Sequence, residues 1–202
     1  MHSALPDVST VSPLSKTPSL YVVATPMGNL QDISLRGLAV LKSVAAVACE
    51  DTRHSQRLLE AFGIKTKLVA LHEHNEQVAV GQVIKMLEAG QHVALITDAG
   101  TPAVSDPGAR AVARVQDAGF PVVPVPGACA AIAALSASGL ADGHFHFHGF
   151  LPVKSAARKA MLETLRSVPG TLVFYEAPHR IGETLDDLAA TLEPVREIVV
   201  AR

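Results

Sequence analysis

The sequence lacks the long apolar run that a membrane-spanning helix needs. Its longest uninterrupted apolar stretch, 128–135, has eight residues, whereas a helix that crosses a bilayer needs about 18 or more. The first residues contain no apolar h-region of a secretory signal. The two cysteines are not spaced as CxxC, so they indicate neither a disulfide framework nor a cysteine-rich zinc site. These absences favour a soluble cytoplasmic protein with no membrane partner.

Three common ligand-binding motifs are absent as well. No two glycines are separated by a single residue, which excludes an ordinary GxGxxG dinucleotide site. Neither the P-loop pattern GxxxxGK[ST] nor the hydrolase elbow GxSxG occurs. Positive charge is also scarce: 17 Lys and Arg stand against 19 Asp and Glu, for a net charge of −2. A protein that binds nucleic acid through a bulk basic surface is therefore not indicated.

What the chain has is an alternation of apolar strands and helices. At 202 residues it is 49% hydrophobic and 18% charged, which excludes a disordered chain. Helices are expected from near Ser34, Ser55, Asn75 and Asp106. Strands that are apolar throughout and separated by helices predict a mostly parallel sheet covered on both faces. The expected strands are LYVVA (20–24), VAAVAC (44–49), KLVAL (67–71), HVALIT (92–97) and PVVPV (121–125).

A second pattern begins near His144. HFHFHGF alternates with a period of two, and Phe150 is out of phase, which predicts a β-bulge at Gly149. A helix, the strand TLVFYE, a leucine-striped helix and a last strand, REIVVA, are expected to follow. We therefore expect a flexible leader at 1–19, an α/β domain at 20–143 and a second α/β domain at 144–202. The second domain is expected to be incomplete, because the chain stops within its last strand.

The loops at the carboxyl ends of the first five strands are where ligands bind in open α/β sheets. Glycine and proline in DAGTPAVSDPG can bring bare backbone against a flat ligand such as adenosine. The small residues Ala128, Ala130 and Ala131 would leave room for the same ligand. Together these features predict a functional cleft. The loops are TPMGN (25–29), EDTRHS (50–55), HEHNE (72–76), DAGTPAVSDPG (98–108) and PGACAA (126–131).

Two other features admit alternative readings. His-x-His spacing occurs in HEH (72–74) and in HFHFH (144–148), and a divalent metal would accept such ligands; local pairing at a strand edge would give the same pattern. The segment 151–180 carries a net charge of +3. On charge alone, that excess is typical of a solvated helix face.

Taken together and in order, these loops resemble the ribosomal RNA small subunit methyltransferase I family of the tetrapyrrole methylase superfamily. The resemblance covers about 20–202. CEDTRHS and FYEAPHR are its discriminating motifs, joined by TPMGNLQDISLRGL, HEHNE, DAGTPAVSDPG, PGACAAIAALSASG and GFLPVKSAARK. It implies two α/β domains of the tetrapyrrole methylase type. The implied activity is transfer of a methyl group from S-adenosylmethionine to the ribose 2′-hydroxyl of a cytidine in the decoding region of 16S rRNA. The implied partners are 16S rRNA within the small ribosomal subunit and a second copy of the chain.

The resemblance also implies site residues. Those matching the family's cofactor stretches are Pro26, Asp98, Ala99, Gly100, Thr101, Pro102, Val104, Ser105, Ala128, Cys129, Ala130, Ala131, Ile132 and Tyr175. The ribose hydroxyl must lose a proton during attack, so a carboxylate or histidine would help. The candidates are Glu50, Asp51, His72, Glu73, Asp106, Glu176 and His179. Phosphate contacts would come from Arg53, Lys154, Arg158, Lys159 and Arg180. No metal is required.

Two departures from the family pattern and three rival hypotheses accompany this interpretation. Family members continue beyond the strand that ends here at Arg202, so we expect a chain truncated at its C-terminus. Cys129 stands where the family usually has serine or another small residue, and a buried cysteine behaves as a small hydrophobe. The rivals are a sister methylase acting on a tetrapyrrole, a metal-dependent hydrolase that uses the HEH and HFHFH histidines, and a non-catalytic fragment that only dimerises.

Overall fold

A computed structural model describes residues 14–72, 75–141 and 143–202. Its contacts divide the chain into two compact units, Met1–Cys129 and Ala130–Arg202. Both units combine strands with helices, so the predicted α/β class is confirmed. No helix in the described ranges is long and apolar enough to cross a membrane.

The first unit is built on a five-stranded parallel sheet in the order β3-β2-β4-β1-β5. Its strands are β1 (Leu20–Val23), β2 (Ala46–Cys49), β3 (Lys67–Ala70), β4 (Val93–Leu95) and β5 (Val122–Val125). Its helices are α1 (Leu35–Ser43), α2 (Thr52–Ala61), α3 (Glu76–Glu88) and α4 (Ala109–Asp117), with a 3₁₀ turn at Leu30–Asp32. The predicted parallel sheet is therefore present.

Successive strand residues of this sheet face two separate hydrophobic clusters. Val47 and Cys49 of β2 pack in one cluster with residues of α1 and α2, such as Val40. Ala48 of the same strand packs in the other cluster with residues of α3 and α4, such as Val83. Burying a side chain of this size contributes about 1.5–3 kcal/mol. Both faces of the sheet are covered, which explains why its strands are apolar throughout.

Two helices begin elsewhere than expected. Helix α2 begins at Thr52 and not near Ser55, because the Asp51 carboxylate accepts hydrogen bonds from the N–H groups of Arg53 (2.8 Å) and His54 (3.4 Å). Helix α4 begins only at Ala109: the residue before it is Gly108, with φ of 124°, and the Asp106-Pro107 start is wrong.

The predicted leader is in part packed against the first unit. Its residues 1–13 lie outside the described ranges. The Ser15 N–H donates to the Tyr21 hydroxyl at 2.6 Å, Ser19 is buried, and Leu14 packs against the cluster that contains Val47. Residues 14–19 therefore belong to the folded unit.

The second unit contains a two-stranded parallel sheet and three helices. They are α5 (Ala130–Ser138), β6 (Phe145–Phe150), α6 (Ser155–Leu165), β7 (Thr171–Tyr175) and α7 (Ile181–Thr191). Its buried apolar centre is formed by Leu151, Leu162 and Leu188. The β6–β7 register shifts between Phe147 and Phe150, and Gly149 has φ of 64°, so the predicted bulge is present.

Two expectations for this unit differ from the structure. REIVVA does not form a strand, and Val199 and Val200 are each at least half exposed. The expected boundary at 143/144 falls within the second unit, which already contains α5. Helix α5 contacts β7, and its Ala131 N–H donates to the Tyr175 hydroxyl at 3.2 Å.

Candidate functional site

The loops after β1 and β4 are joined by backbone hydrogen bonds at the carboxyl edge of the first sheet. The Thr25 N–H donates to the Gly100 carbonyl at 2.8 Å, and the Gly100 N–H donates back to Thr25 at 3.0 Å. The buried Thr25 hydroxyl also donates to the Thr97 carbonyl at 3.0 Å. This pairing fixes the DAGTPAVSDPG loop against the TPMGN loop. Sequence reasoning selected both loops but missed Thr25 itself.

The loop after β4 holds four left-handed backbone conformations. The φ values are 86° at Gly100, 66° at Ala103, 62° at Ser105 and 124° at Gly108. Alanine and serine pay about 1–2 kcal/mol for this conformation. Strain of this kind tends to occur at functional sites, so it supports the prediction that this loop has a function.

The loop after β5 approaches the same edge closely. A Cβ on Gly127 would lie 2.8 Å from the Ala24 Cβ, which leaves no space for a side chain there. The Thr101 hydroxyl donates to the Ala128 carbonyl at 2.9 Å. Within the first unit, the loops after β1, β4 and β5 therefore meet at one edge, as the sequence predicts. Gly127 was missed, although PGACAA contains it.

The predicted cofactor residues of the first unit differ in exposure. Pro26, Gly100 and Pro102 are buried. Partly buried residues are Asp98, Thr101, Val104, Ala128 and Cys129, and exposed residues are Ala99 and Ser105. These residues therefore offer a bound ligand a mixture of backbone, small side chains and the carboxylate of Asp98.

Three carboxylates at this edge interact electrostatically. Burial raises the pKa of Glu50, and the nearby charges of Asp98 and Asp106 raise it further. Burial likewise raises the pKa of Asp106; Asp98 adds to the effect, and a hydrogen bond with Thr97 opposes it. The Asp98 Oδ1 is buried without a hydrogen-bond partner among the described residues. This edge is therefore suited to a ligand that brings positive charge or hydrogen-bond donors.

The other base candidates of the first unit are differently placed. Asp51 caps α2, and its hydrogen bonds to Arg53 lower its pKa. The His72 N–H donates to the Asn75 side chain at 2.9 Å. Glu73 lies outside the described residues. A capping carboxylate of low pKa is a poor proton acceptor, which leaves Glu50 and Asp106 as the better-suited carboxylates of this unit.

In the second unit, Tyr175 lies at the centre of an aromatic group. Its ring meets Phe147 edge-on at 4.8 Å and Phe150 at 5.6 Å between centroids. The bulge at Gly149 returns Phe150 to the face that Phe147 occupies. Tyr175 accepts the Ala131 N–H, so it holds the first turn of α5, where Ala130 and Ile132 are exposed and Ala131 is buried.

Glu176 is fully engaged by its neighbours. One carboxylate oxygen accepts from the Ala177 N–H at 2.8 Å, and the other accepts from the Thr184 hydroxyl at 2.6 Å. The Arg180 Nε lies 3.2 Å from Glu176 as an ion pair without hydrogen-bond alignment. Glu176 therefore organises the FYEAPHR loop, while His179 is exposed.

The predicted phosphate contacts divide into exposed and internal residues. Arg53 is 89% exposed beside Asp51, Lys154 is exposed, and the half-exposed Lys159 lies 3.3 Å from Asp187. Arg158 corrects the expectation, because its side chain is only 1% exposed and its Nε donates to Asp187 at 2.7 Å. Arg158 therefore serves the fold and does not meet a surface phosphate.

Arg180 is also largely internal. Its side chain is 15% exposed, and one terminal nitrogen donates to the carbonyls of Leu151 (2.9 Å) and Pro152 (3.2 Å). Asp187, which pairs with Arg158, was missed. The one sequence feature that could have indicated Asp187 is its position next to Leu188, which lies on the apolar stripe of α7.

The histidines of β6 have local partners. The His146 ring bonds to the Pro169 carbonyl at 3.0 Å, and the His148 ring stacks on Phe174 at 5.6 Å. Across the described part of the chain, no group of three or more His, Cys, Asp or Glu side chains is placed to hold a metal ion. His74 of the HEH motif lies outside the described residues, and the described histidines give the metal-dependent hydrolase no support.

Comparison with known proteins identifies relatives along nearly the whole chain. The family model for Tetrapyrrole (Corrin/Porphyrin) Methylases matches residues 19–202. A protein of Pseudomonas aeruginosa named Ribosomal RNA small subunit methyltransferase I is 55% identical over 91% of this chain and 65% of its own length. A protein of the same name from Xylella fastidiosa is 49% identical over 94% of this chain and 69% of its own length. The chain thus spans about two thirds of these relatives.

Solved structures share the fold at lower identity. A diphthine synthase matches with a TM-score of 0.66 and 19% identity, over 85% of this chain and 71% of that protein. A uroporphyrin-III-C-methyltransferase from Thermus thermophilus matches with a TM-score of 0.61 and 24% identity, over 87% of this chain and 75% of that protein. Identities this low carry the fold alone.

Proposed function

The chain belongs to the tetrapyrrole methylase family and, within it, to the ribosomal RNA small subunit methyltransferase I group; from this premise we propose that it takes part in S-adenosylmethionine-dependent methylation of ribosomal RNA. The finer proposal is methylation of the ribose 2′-hydroxyl of a cytidine in the decoding region of 16S rRNA, within the small ribosomal subunit. Relatives of that name are 49–55% identical to this chain over 91% of its length. Homodimerisation and a cytoplasmic location stay predictions from the resemblance.

The observation that carries the proposal is the carboxyl edge of the first unit's sheet, where the loops after β1, β4 and β5 meet; we call it the loop edge. There the Thr25–Gly100 pairing fixes the long loop after β4, and an unpaired oxygen of Asp98 lies within it. S-adenosylmethionine carries an ammonium group and a positively charged sulfonium. An orphaned carboxylate oxygen with Glu50 and Asp106 nearby fits those charges, and the glycine-rich backbone fits a flat adenosine.

The residues proposed to hold the cofactor follow from this fit. Gly100, Thr101 and Ala128 would offer backbone and small side chains to the adenosine, and Asp98 would pair with positive charge. Ala130, Ala131, Ile132 and Tyr175 of the second unit remain predicted contacts. The bound cofactor supplies an electrophilic methyl group; the protein's task is to hold the ribose hydroxyl in line with it.

The protein must also accept the proton that the ribose hydroxyl loses. We propose Glu50 or Asp106 for this role, because their raised pKa values make them stronger bases than an ordinary carboxylate. Asp51 and Glu176 are occupied by capping and loop contacts. A fixed carboxylate is sufficient to accept this proton, and the methyl transfer requires no metal because the cofactor itself supplies the electrophile.

The rival substrates are less well supported. The solved tetrapyrrole methylases resemble this chain in fold at 24% identity or less, whereas proteins named for ribosomal RNA reach 55%. We therefore favour rRNA over a tetrapyrrole, and we retain no hydrolase function.

The test is to incubate the protein with methyl-labelled S-adenosylmethionine and unmethylated 30S subunits. We expect label in 16S rRNA at one cytidine, and the adjoining phosphodiester should resist alkaline hydrolysis because the 2′-oxygen is blocked. Free tetrapyrrole incubated in parallel should take up no label. Label on a base, or on the tetrapyrrole instead of the RNA, would contradict the proposal.

A further inference from the structure

Two arginines of the second unit converge on one short stretch of backbone. Arg158 donates to the carbonyls of Pro152 (3.4 Å) and Val153 (3.3 Å), and Arg180 donates to those of Leu151 (2.9 Å) and Pro152 (3.2 Å). Four hydrogen bonds from two largely buried guanidinium groups therefore bind the three consecutive backbone carbonyls of residues 151–153. We call Arg158 and Arg180, with the carboxylates that orient them, the arginine clasp.

The carboxylates of the arginine clasp come from α7 and the loop before it. Asp187 is 5% exposed and accepts from Arg158 at 2.7 Å and from the Ser155 hydroxyl at 2.9 Å. Glu176 pairs with Arg180. A planar guanidinium keeps its fork geometry while it bonds to both carboxylate and carbonyl, which lysine cannot do.

The stretch held by the clasp, with the residues on either side of it, presents apolar and cationic side chains to solvent. Phe150 is 53% exposed, Val153 is 73% exposed, and Lys154 is exposed, all within five consecutive residues. Exposed apolar side chains grouped in this way beside a cation form a surface that a partner can cover. We call 150–154 the presented loop.

We propose that the presented loop is a contact surface for single-stranded RNA and that the arginine clasp positions it. An exposed aromatic ring can stack on an unpaired base, and a nearby lysine can neutralise a phosphate. Arg158 and Arg180 are internal and paired, so the exposed positive charge beside the loop comes from Lys154 and the half-exposed Lys159, and it complements a polyanion. The inference rests on the proposed function, since it names how the same substrate is held.

This assignment differs from a phosphate role for the arginines themselves. The Arg158 side chain is 1% exposed and the Arg180 side chain is 15% exposed. Neither is therefore placed to contact a phosphate and displace the counterions bound there. They act through the backbone of the presented loop, and they are positioning residues. The distinction is measurable, because a phosphate contact changes the salt dependence of binding and a positioning residue changes affinity alone.

The experiment measures the affinity of the 202-residue protein for a labelled, unstructured, cytidine-containing RNA oligonucleotide by fluorescence anisotropy at several salt concentrations, without S-adenosylmethionine. Lys154→Ala should lower the slope of log affinity against log salt by about 0.7. Lys65→Ala, at an exposed lysine of the first unit, should leave the slope unchanged. Equal slopes for both variants would overturn the phosphate role of Lys154.

Phe150→Ala should weaken binding about five-fold or more, as the loss of one base–aromatic stack does, with no change of slope. Its matched control is Phe145→Ala, at the other end of the same strand, where the ring is 45% exposed. Equal effects of the two variants would overturn the stacking role.

The clasp is tested with the double variant Arg158→Met and Asp187→Leu. Replacing both partners avoids an uncompensated buried charge, so the unit should fold. We expect a several-fold loss of RNA affinity at an unchanged salt slope and unchanged unfolding temperature. Arg180→Lys, which keeps the charge beside Glu176 but loses the fork, should act in the same direction. Wild-type affinity in folded variants, or a slope reduced by a full contact, would overturn the positioning role.

Failure of the inference and failure of the proposed function are separable. If the protein methylates 30S subunits but these variants do not change RNA affinity, the RNA-contact role of the presented loop is wrong and the methyltransferase function stands. If the variants change RNA affinity as expected but no methyl group is transferred, the methyltransferase function is wrong and the RNA-contact role stands.

Discussion

Gly100 combines a left-handed backbone with a position in the loop edge of the first unit. Its φ is 86°, and an added Cβ would face Met27 Sδ at 3.6 Å and the Ala128 carbonyl at 3.8 Å. We predict that Gly100→Ala lowers the free energy of unfolding by about 1–2 kcal/mol and also weakens S-adenosylmethionine binding in titration calorimetry.

Gly90 provides the matched control for this prediction. Its φ is 80°, and nothing lies within 4 Å of an added Cβ. Gly90→Ala should cost a similar amount of stability and leave ligand affinity unchanged. If both variants bind equally well, the cofactor does not lie against Gly100.

Asp106 should make the stability of the protein depend on pH. Burial, with Asp98 adding to it, raises its folded pKa, so ionisation disfavours the folded state. The cost is absent at acid pH, where the carboxyl is protonated in both states, and it grows as pH rises from the unfolded pKa of about 3.9 through the raised folded value. Glu50, Asp98 and the Thr97 hydroxyl are the groups that interact with this carboxyl.

The expected outcome is that Asp106→Asn raises the unfolding temperature at pH 7 and that the gain disappears towards pH 4. Thermal unfolding across that range measures it. Asp186→Asn, at an exposed aspartate of α7, should show no such gain. A destabilised Asp106→Asn protein at neutral pH would show that the carboxylate is favourable in the folded state.

Single residues also mark the limit of sequence reasoning. The loop edge was predictable, because in a parallel sheet the loops after the strands lie at the same edge regardless of their side chains. The role of Arg158 was not, because its partner Asp187 lies on a different helix and only packing brings the two together. A basic residue in a basic segment is equally consistent with a surface contact and with a buried pair.

At the scale of elements, the sequence predicted the features that depend only on consecutive residues. HFHFHGF revealed both the strand β6 and its bulge, because side-chain alternation and its interruption are properties of consecutive residues. REIVVA contains three β-branched residues, whereas HFHFHGF contains none, yet REIVVA has no strand partner among the described residues and forms no strand. Strand propensity needs a neighbour to pair with.

The β6–β7 pairing depends on a close approach at Gly170. A Cβ there would lie 2.7 Å from the His144 carbonyl oxygen, to which the Thr171 N–H donates at 3.0 Å. Gly170→Ala must either displace that backbone or break the hydrogen bond. We predict a loss of about 2–4 kcal/mol, since strain at the left-handed position adds to the loss of a backbone hydrogen bond.

Gly143 separates the two contributions to this loss. It has the same φ of 97°, and nothing lies within 4 Å of its added Cβ. Gly143→Ala should therefore lose only the conformational part, about 1–2 kcal/mol. Chemical denaturation of both variants measures the difference. Equal losses would mean that the close contact at Gly170 relaxes without cost.

At the scale of the whole molecule, the two units differ in how their strands are secured. Strand β4 lies in the middle of a five-stranded sheet with apolar clusters on both faces. Among the residues that the structure describes, strand β7 pairs with β6 alone, and the buried apolar cluster of its unit is small. Two strands by themselves are marginal, so the stability of the second unit depends on the packing of its helices against them.

The last prediction is therefore that the second unit opens more readily than the first. In native-state hydrogen exchange, amides of β7 (171–175) should be protected at least about tenfold less than those of β4 (93–95), and each tenfold step corresponds to about 1.4 kcal/mol of opening free energy. Amides of 197–201, which form no strand, should exchange with little protection. A low concentration of denaturant should widen the gap between β7 and β4 if the units open independently. Equal protection of β7 and β4 would mean that the chain unfolds as one cooperative body, in which case the small core of the second unit is no guide to its stability.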